Sequence, residues 1–232
     1  MNVYKTSQVR NVVFLGHGGA GKTTLAEAMA YATGVITRMG SVDNGNTISD
    51  YDSEEIKRKF SINAAVIPIE WNGLKINILD APGYFDFVGQ TEDAMSVADA
   101  AVIVVNGKAG LEVGTIKAWE ICERRKIPRI FFITGMDDPN AKYMETVKQL
   151  KETFGKQIAP FHLPIIEDGI LTGYVNVVKM GGRKFVGDNG EYVERDIPDN
   201  LESDLIPCRE QLMEAVAESD EELMDKYFSG EE

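Results

Sequence analysis

The chain has 232 residues, 44% of them hydrophobic and 26% charged, an ordinary balance for a globular protein and enough for one domain with a large insertion. No apolar run approaches the roughly 20 residues that cross a bilayer, and the N-terminus lacks a signal-peptide core, so a membrane partner is excluded and a cytoplasmic protein is expected. The isolated Cys122 and Cys208 offer neither metal-ligand spacing nor a disulfide framework, which fits a reducing compartment.

In chain order, Asn11–Leu15 is a short apolar strand ending in glycines, followed by a helix over Lys22–Ala32. Ala64–Trp71 and Leu74–Leu79 read as strands joined through Asn72-Gly73 as a hairpin. A helical pattern follows near Thr91–Ala98, then a buried strand at Ala101–Val105 and a helix over Thr115–Arg125. Ile130–Ile133 is a further strand, and Ala141–Phe154 carries Met144, Val147 and Leu150 at helical spacing. Alternating strands and helices predict an α/β fold with a mostly parallel sheet and helices on both faces.

The grammar changes near residue 158. The formal net charge is −13, of which residues 158–232 carry −12, so the first two-thirds is nearly neutral. Asp188-Asn189-Gly190 marks a hairpin, a helix runs over Ser203–Ala217, and Ser219 with Glu222 forms a capping box for a last helix. The expected division is 1–157 for the α/β core and 158–232 for an acidic α+β insertion.

Gly16-His17-Gly18-Gly19-Ala20-Gly21-Lys22-Thr23 fits the pattern G-x-x-x-x-G-K-[ST], preceded by a strand and opening a helix. Glycines let backbone N–H groups turn inward around a phosphate, and the helix start adds its dipole and free N–H groups. Lys22 is then the residue to reach the β- and γ-phosphates, and Thr23 a Mg²⁺ ligand, with Thr24 beside it. Downstream, Asp80-Ala81-Pro82-Gly83 follows a strand, where Asp80 can support Mg²⁺ and the Gly83 N–H can meet a γ-phosphate. The same tetrapeptide also makes an ordinary turn. Thr134-Gly135-Met136-Asp137 follows another strand, and a carboxylate at 137 can accept from the two donors on the guanine edge that adenine lacks. Asp137 could also be a helix N-cap.

These residues, with Gly40–Val42, Arg58–Ile62, Asp80–Phe87 and the tail Leu212–Leu223, resemble the N-terminal part of elongation factor G and the related tetracycline-resistance ribosomal protection proteins. The resemblance implies a P-loop GTPase domain with a G′ insertion that binds GTP and GDP, uses Mg²⁺, and works on the ribosome through ribosomal RNA and the stalk protein as a monomer. It places Ser61 as the second Mg²⁺ ligand and Tyr84 where the family has a water-orienting histidine. Phenols ionise near about pH 10 and accept protons poorly at neutral pH, so Tyr84 implies slow hydrolysis. The family's Asn-Lys-x-Asp becomes Thr134-Gly135-Met136-Asp137, which weakens the hold on the base. The fifth family motif and last strand do not occur before Glu232, so the chain is expected to be a piece of a longer protein with an uncovered sheet edge.

Lys22, Gly83 and Tyr84 are therefore the catalytic candidates, and three readings stay open. They are a ribosome-coupled GTPase, a nucleotide-gated ribosome ligand with little hydrolysis, and a P-loop ATPase or small-molecule kinase, which Asp137 and the G′-like insertion disfavour. His17 and His162 are expected to be structural, the Arg124–Lys126 run a solvated helix end, and Trp71 and Trp119 core or near-core.

Overall fold

The computed structural model describes residues 2–187 and 190–229. Met1–Gly135 and Met136–Glu232 form two compact units.

The first unit holds β1 (Val9–Leu15), α1 (Lys22–Ala32), α2 (Ser53–Arg58), β2 (Ala65–Trp71), β3 (Leu74–Asp80), α3 (Val88–Ser96), β4 (Ala100–Asn106), α4 (Val113–Arg125) and β5 (Arg129–Thr134). Its sheet runs β2-β3-β1-β4-β5, parallel throughout except that β2 is antiparallel to β3. The β2–β3 hairpin turns at Asn72 and Gly73, both at positive φ, the primed turn that matches strand twist. Alternation sends Phe14, Ile67, Ile69 and Ile78 to one face, where Ala26 and Ala30 of α1 let the helix approach closely. The opposite pleat buries Val13, Leu15, Ile103 and Val105, with α3 against β1 and α4 against β4. In register, Phe14 of β1 lies opposite Asp80 of β3, so the loops leaving β1 and β3 emerge side by side at one end of the sheet.

The second unit holds α5 (Tyr143–Phe154), β6 (His162–Glu167), β7 (Ile170–Asn176), β8 (Gly181–Val186), β9 (Glu191–Arg195), α6 (Asp199–Ala217) and α7 (Glu221–Ser229). Its four strands form an antiparallel sheet in chain order. Leu163, Ile165, Val175 and Val177 of the sheet region close on Leu205, Cys208 and Leu212 of α6. Strands β8 and β9 pair antiparallel, and the hairpin signal read at 188–190 falls on Asp188 and Asn189, which lie outside the described residues.

The α/β class, the mostly parallel sheet and the added α+β part are as expected. Two local readings are corrected. The last helix is capped by Asp220, whose Oδ1 accepts from the N–H groups of Glu222 and Leu223, whereas Ser219 turns its hydroxyl back to the Val216 carbonyl. Trp71, on the edge strand β2, is 55% exposed, because its hairpin position faces solvent. The Arg124–Lys126 run is an exposed helix end, as expected, and there Arg124 and Arg125 converge on Glu92 of α3, Arg125 first and then Arg124 holding that carboxyl below its usual range.

Candidate functional site

The loop between β1 and α1 is anchored by the buried Val13-Phe14-Leu15 and turns through Gly16, Gly19 and Gly21, with φ of 136°, 82° and 93°. Such angles exclude most side chains. The N-terminus of α1 has no side-chain cap, so its first N–H groups remain available to an anion. Lys22 folds back over the loop, its Nζ donating to the carbonyls of Gly16 at 3.1 Å and His17 at 2.9 Å. Burial lowers its pKa to about 8, against the opposing pull of Asp80, Asp50 and Glu112. Ala20 is buried, and Thr24 is exposed in the first turn of α1.

Beside Lys22, four side chains bring oxygen atoms together. Thr23 Oγ1 donates to Asp80 Oδ2 at 2.7 Å and lies 3.2 Å from Ser61 Oγ. Burial raises the Asp80 pKa to about 6, offset in part by the Thr23 hydroxyl and Lys22. Asp50 is also buried, its pKa raised by burial against a hydrogen bond from Ser61. Asp80 Oδ1 and Asp50 Oδ2 are buried without a well-formed hydrogen bond among the described residues, although the Ser49 hydroxyl lies near enough to Asp80 to pull its pKa down. Buried acceptors left in this state signal a bound cation or polar ligand. Two carboxylates and two hydroxyls are a hard oxygen set that suits Mg²⁺ shared with substrate phosphates. Among the described residues no three His, Cys, Asp or Glu side chains gather as an all-protein metal cage.

The segment after β3 presses onto the loop. A Cβ at Gly83 would lie 2.7 Å from the Gly18 nitrogen and 2.8 Å from the His17 carbonyl carbon, and would collide with Lys22 Nζ, so only glycine fits. Tyr84 packs its ring against Gly18 and against Phe60, with ring centroids 4.6 Å apart.

Two buried carboxylates organise the long loop between α1 and β2. Glu27 accepts from the N–H groups of Gly40 and Ile48, and Glu55 accepts from those of Asp52, Ile62 and Asn63. Glu55 thereby fixes the two residues that follow Ser61. Sequence reasoning missed Glu27, Ser49, Asp50 and Glu55. Only Glu55 left a signal, the Asp52-x-x-Glu55 box that caps α2.

Thr134, at the end of β5, donates from Oγ1 to the Ala20 carbonyl at 2.6 Å and the Val105 carbonyl at 3.3 Å, bracing the loop from below. Gly135 follows at φ 66°. Asp137 belongs to the second unit, where it is exposed. His17 faces Glu112, Nε2 to Oε1 3.5 Å, with its backbone against Gly114, where a Cβ would come within 2.5 Å of His17 Cα. That is a packing role. His162 presents its carbonyl to the Tyr143 hydroxyl at 2.6 Å and its ring to the edge of Tyr174, also structural.

Residues 7–227 match the elongation factor Tu GTP binding domain. Elongation factor G of Thermotoga sp. (strain RQ2) is 36% identical over 226 residues, covering 97% of this chain and 32% of that protein. Elongation factor G of Thermotoga maritima is 35% identical over the same length, covering 33% of it. A crystal structure of a protein from Thermus thermophilus superposes with a TM-score of 0.90 at 37% identity, over 97% of this chain and 34% of that one. The chain spans about a third of the length of these relatives. No helix among the described residues is long and apolar enough to cross a membrane.

Proposed function

Because the chain belongs to the elongation factor Tu GTP-binding domain family, we propose that it binds GTP and GDP with Mg²⁺ and hydrolyses GTP, as part of a translational GTPase similar to elongation factor G. The observation that carries this reading is the gathering of Thr23, Ser61 and Asp80 beside the buried Lys22, at the mouth of a loop built to surround phosphate.

In this reading the N–H groups of 16–24 (Gly16, His17, Gly18, Gly19, Ala20, Gly21, Lys22, Thr23 and Thr24) hold the phosphates, and Lys22 sets its charge against them. Thr23 and Ser61 would hold Mg²⁺, with Asp80 and Asp50 behind them. The ion supplies charge neutralisation to the phosphates when bound. Gly83 offers its N–H to the terminal phosphate, and its lack of a side chain keeps that amide against the loop. Tyr84 orients the attacking water by hydrogen bonding, without the basicity of an imidazole. Asp137 reads guanine, and Thr134 supports the loop instead of supplying an amide to the base. The assignment of 1–157 to the GTPase core and 158–232 to a G′-like insertion is supported by the charge break and the tail resemblance.

The ribosome, through its RNA and a stalk protein, is the partner this family similarity supports, in the cytoplasm and with the protein as a monomer. Single-turnover GTP hydrolysis with and without ribosomes tests it: acceleration is expected, slower than in a histidine-bearing relative. A second reading, a nucleotide-gated ribosome ligand with little hydrolysis, is supported by Tyr84, Thr134 and Gly135. It prevails if ribosomes give no acceleration and Tyr84→His restores it.

A further inference from the structure

Thr134, the first residue of the segment read as facing the base, has no hydrogen left for a nucleotide. A hydroxyl carries one donor, and that of Thr134 is shared between the Ala20 and Val105 carbonyls. Gly135 follows with no side chain at all. The neighbouring strand brings a donor to the same place. Asn106 ends β4 directly opposite Thr134 in the parallel register. The Gly107 N–H donates to the Thr134 carbonyl at 2.8 Å, which hooks the loop after β4 onto the end of β5.

The Asn106 carboxamide has a fixed orientation. Its Oδ1 accepts from the backbone N–H groups of Lys108 at 3.0 Å and Ala109 at 3.1 Å. Two N–H donors can face only the oxygen, so the amide nitrogen points away from that turn. It turns toward Gly135. A Cβ built there would find Nδ2 as its nearest atom at 3.1 Å, ahead of Cγ at 3.6 Å and Oδ1 at 3.7 Å. The absent side chain at 135 leaves this NH2 group uncovered, and its hydrogens are uncommitted among the described residues.

We propose that Asn106 is a specificity-determining residue: its side-chain amide donates to the O6 oxygen of guanine through the space left open at Gly135. This rests on the guanine-nucleotide reading given above. O6 is the ring neighbour of N1, the group assigned to Asp137, and Gly135 precedes Asp137 by two residues. Guanine offers an acceptor at this position and adenine an amino donor, so an NH2 group facing it favours one base and opposes the other. A hydroxyl spent on the phosphate loop at 134 and a missing side chain at 135 are thereby compensated from the adjoining strand.

Calorimetry on the full chain compares Mg²⁺·GTP with Mg²⁺·6-thio-GTP, which keeps N1–H and the 2-amino group but replaces O6 by sulfur, a weak acceptor. The wild type is expected to prefer GTP about tenfold, the effect of one such bond left unmade. Asn106→Ala removes the donor. Asn106→Asp replaces it with an acceptor, while the carboxylate still receives the N–H groups of Lys108 and Ala109. In both variants the preference is expected to fall to within about twofold of parity, and in Asn106→Asp the unfolding midpoint should hold. The two nucleotides carry the same phosphates, so a disturbed loop or an added negative charge lowers both affinities and leaves the preference intact. The preference for GTP over inosine triphosphate, which reports the 2-amino group, should not change in either variant. If the preference for GTP over 6-thio-GTP survives in either variant, the proposal is overturned and Asn106 only caps its turn. A wild-type chain that prefers GTP to ATP yet does not distinguish 6-thio-GTP likewise contradicts the role of Asn106 alone. One that binds ATP as tightly as GTP contradicts the guanine reading itself.

Discussion

The two compact units handle charge in opposite ways. Every charged side chain found buried among the described residues, namely Lys22, Glu27, Asp50, Glu55 and Asp80, belongs to the first unit, which contains most of a nearly neutral stretch of sequence. The second unit includes the strongly acidic stretch but buries only Thr146 among its described polar side chains, and its core is hydrocarbon and one thiol. Bulk acidity therefore says little about chemistry. Burying a charge is costly unless something compensates it, so a cluster of buried charges points to a ligand, whereas a solvated acidic face points at most to a partner.

Substitutions can break or sharpen this contrast. The largest expected loss of stability is in the second unit: Leu163→Ala, in a dry core, should cost about 3 kcal/mol by cavity formation, seen in thermal unfolding, with Mg²⁺-dependent GTP affinity changed less than about twofold if the units act separately. Asp80→Asn should do the reverse. Its affinity for Mg²⁺·GTP, read by calorimetry, should fall about a hundredfold, roughly 2.7 kcal/mol, while the unfolding temperature holds or rises because a buried charge has been removed. Glu55→Ala leaves the N–H groups of Ile62 and Asn63 unpaired, and should cost about 2 kcal/mol and weaken Mg²⁺-dependent binding, since those amides immediately follow Ser61.

Smaller effects belong to partly exposed groups. Glu92→Gln removes a solvent-screened pair of arginine contacts and should cost no more than about 1 kcal/mol. The Glu92 pKa is depressed in the folded state, so its contribution is fully present above its ordinary value of 4.5 and is lost as pH falls through the lower folded value. A pH series of denaturant unfolding on both proteins should show the difference vanishing in acid. Lys59 occupies the left-handed region at φ 59°, which glycine adopts without strain. Lys59→Gly should stabilise by about 0.5–1 kcal/mol, the relief of that conformation, measured as a rise in unfolding midpoint.

What the sequence revealed follows the same division. Strong periodicity and glycine punctuation placed the β1–α1 loop, the β2–β3 hairpin and helices α1, α3 and α4 to within a few residues, because local chemistry and tertiary packing agree there, whereas the six-residue α2 is too short to show a period and was not read. Strands β6 and β7 were not legible: Pro164 and the glycines at 169 and 173 interrupt their alternation, and a register shift at Ile165/Ile166 breaks it further. Lys22, Thr23, Asp80 and Gly83 were readable because a motif fixes their spacing. Asp50 and Glu27 were not, since a carboxylate in a loop or an ordinary helix looks solvated until the chain folds over it. Phe60 and Gly18 meet Tyr84 through contacts between three separate loops, which no local pattern encodes.

The central claim is that the first unit holds a guanine nucleotide through Lys22 and its neighbouring oxygens. Calorimetric titration of Mg²⁺·GTP and Mg²⁺·ATP into the full chain and into Lys22→Ala tests it most directly. The account predicts GTP affinity about a hundredfold above that for ATP, and a loss of similar size in Lys22→Ala. Equal or tighter binding of ATP, or a Lys22→Ala protein with undiminished affinity for GTP, would contradict it.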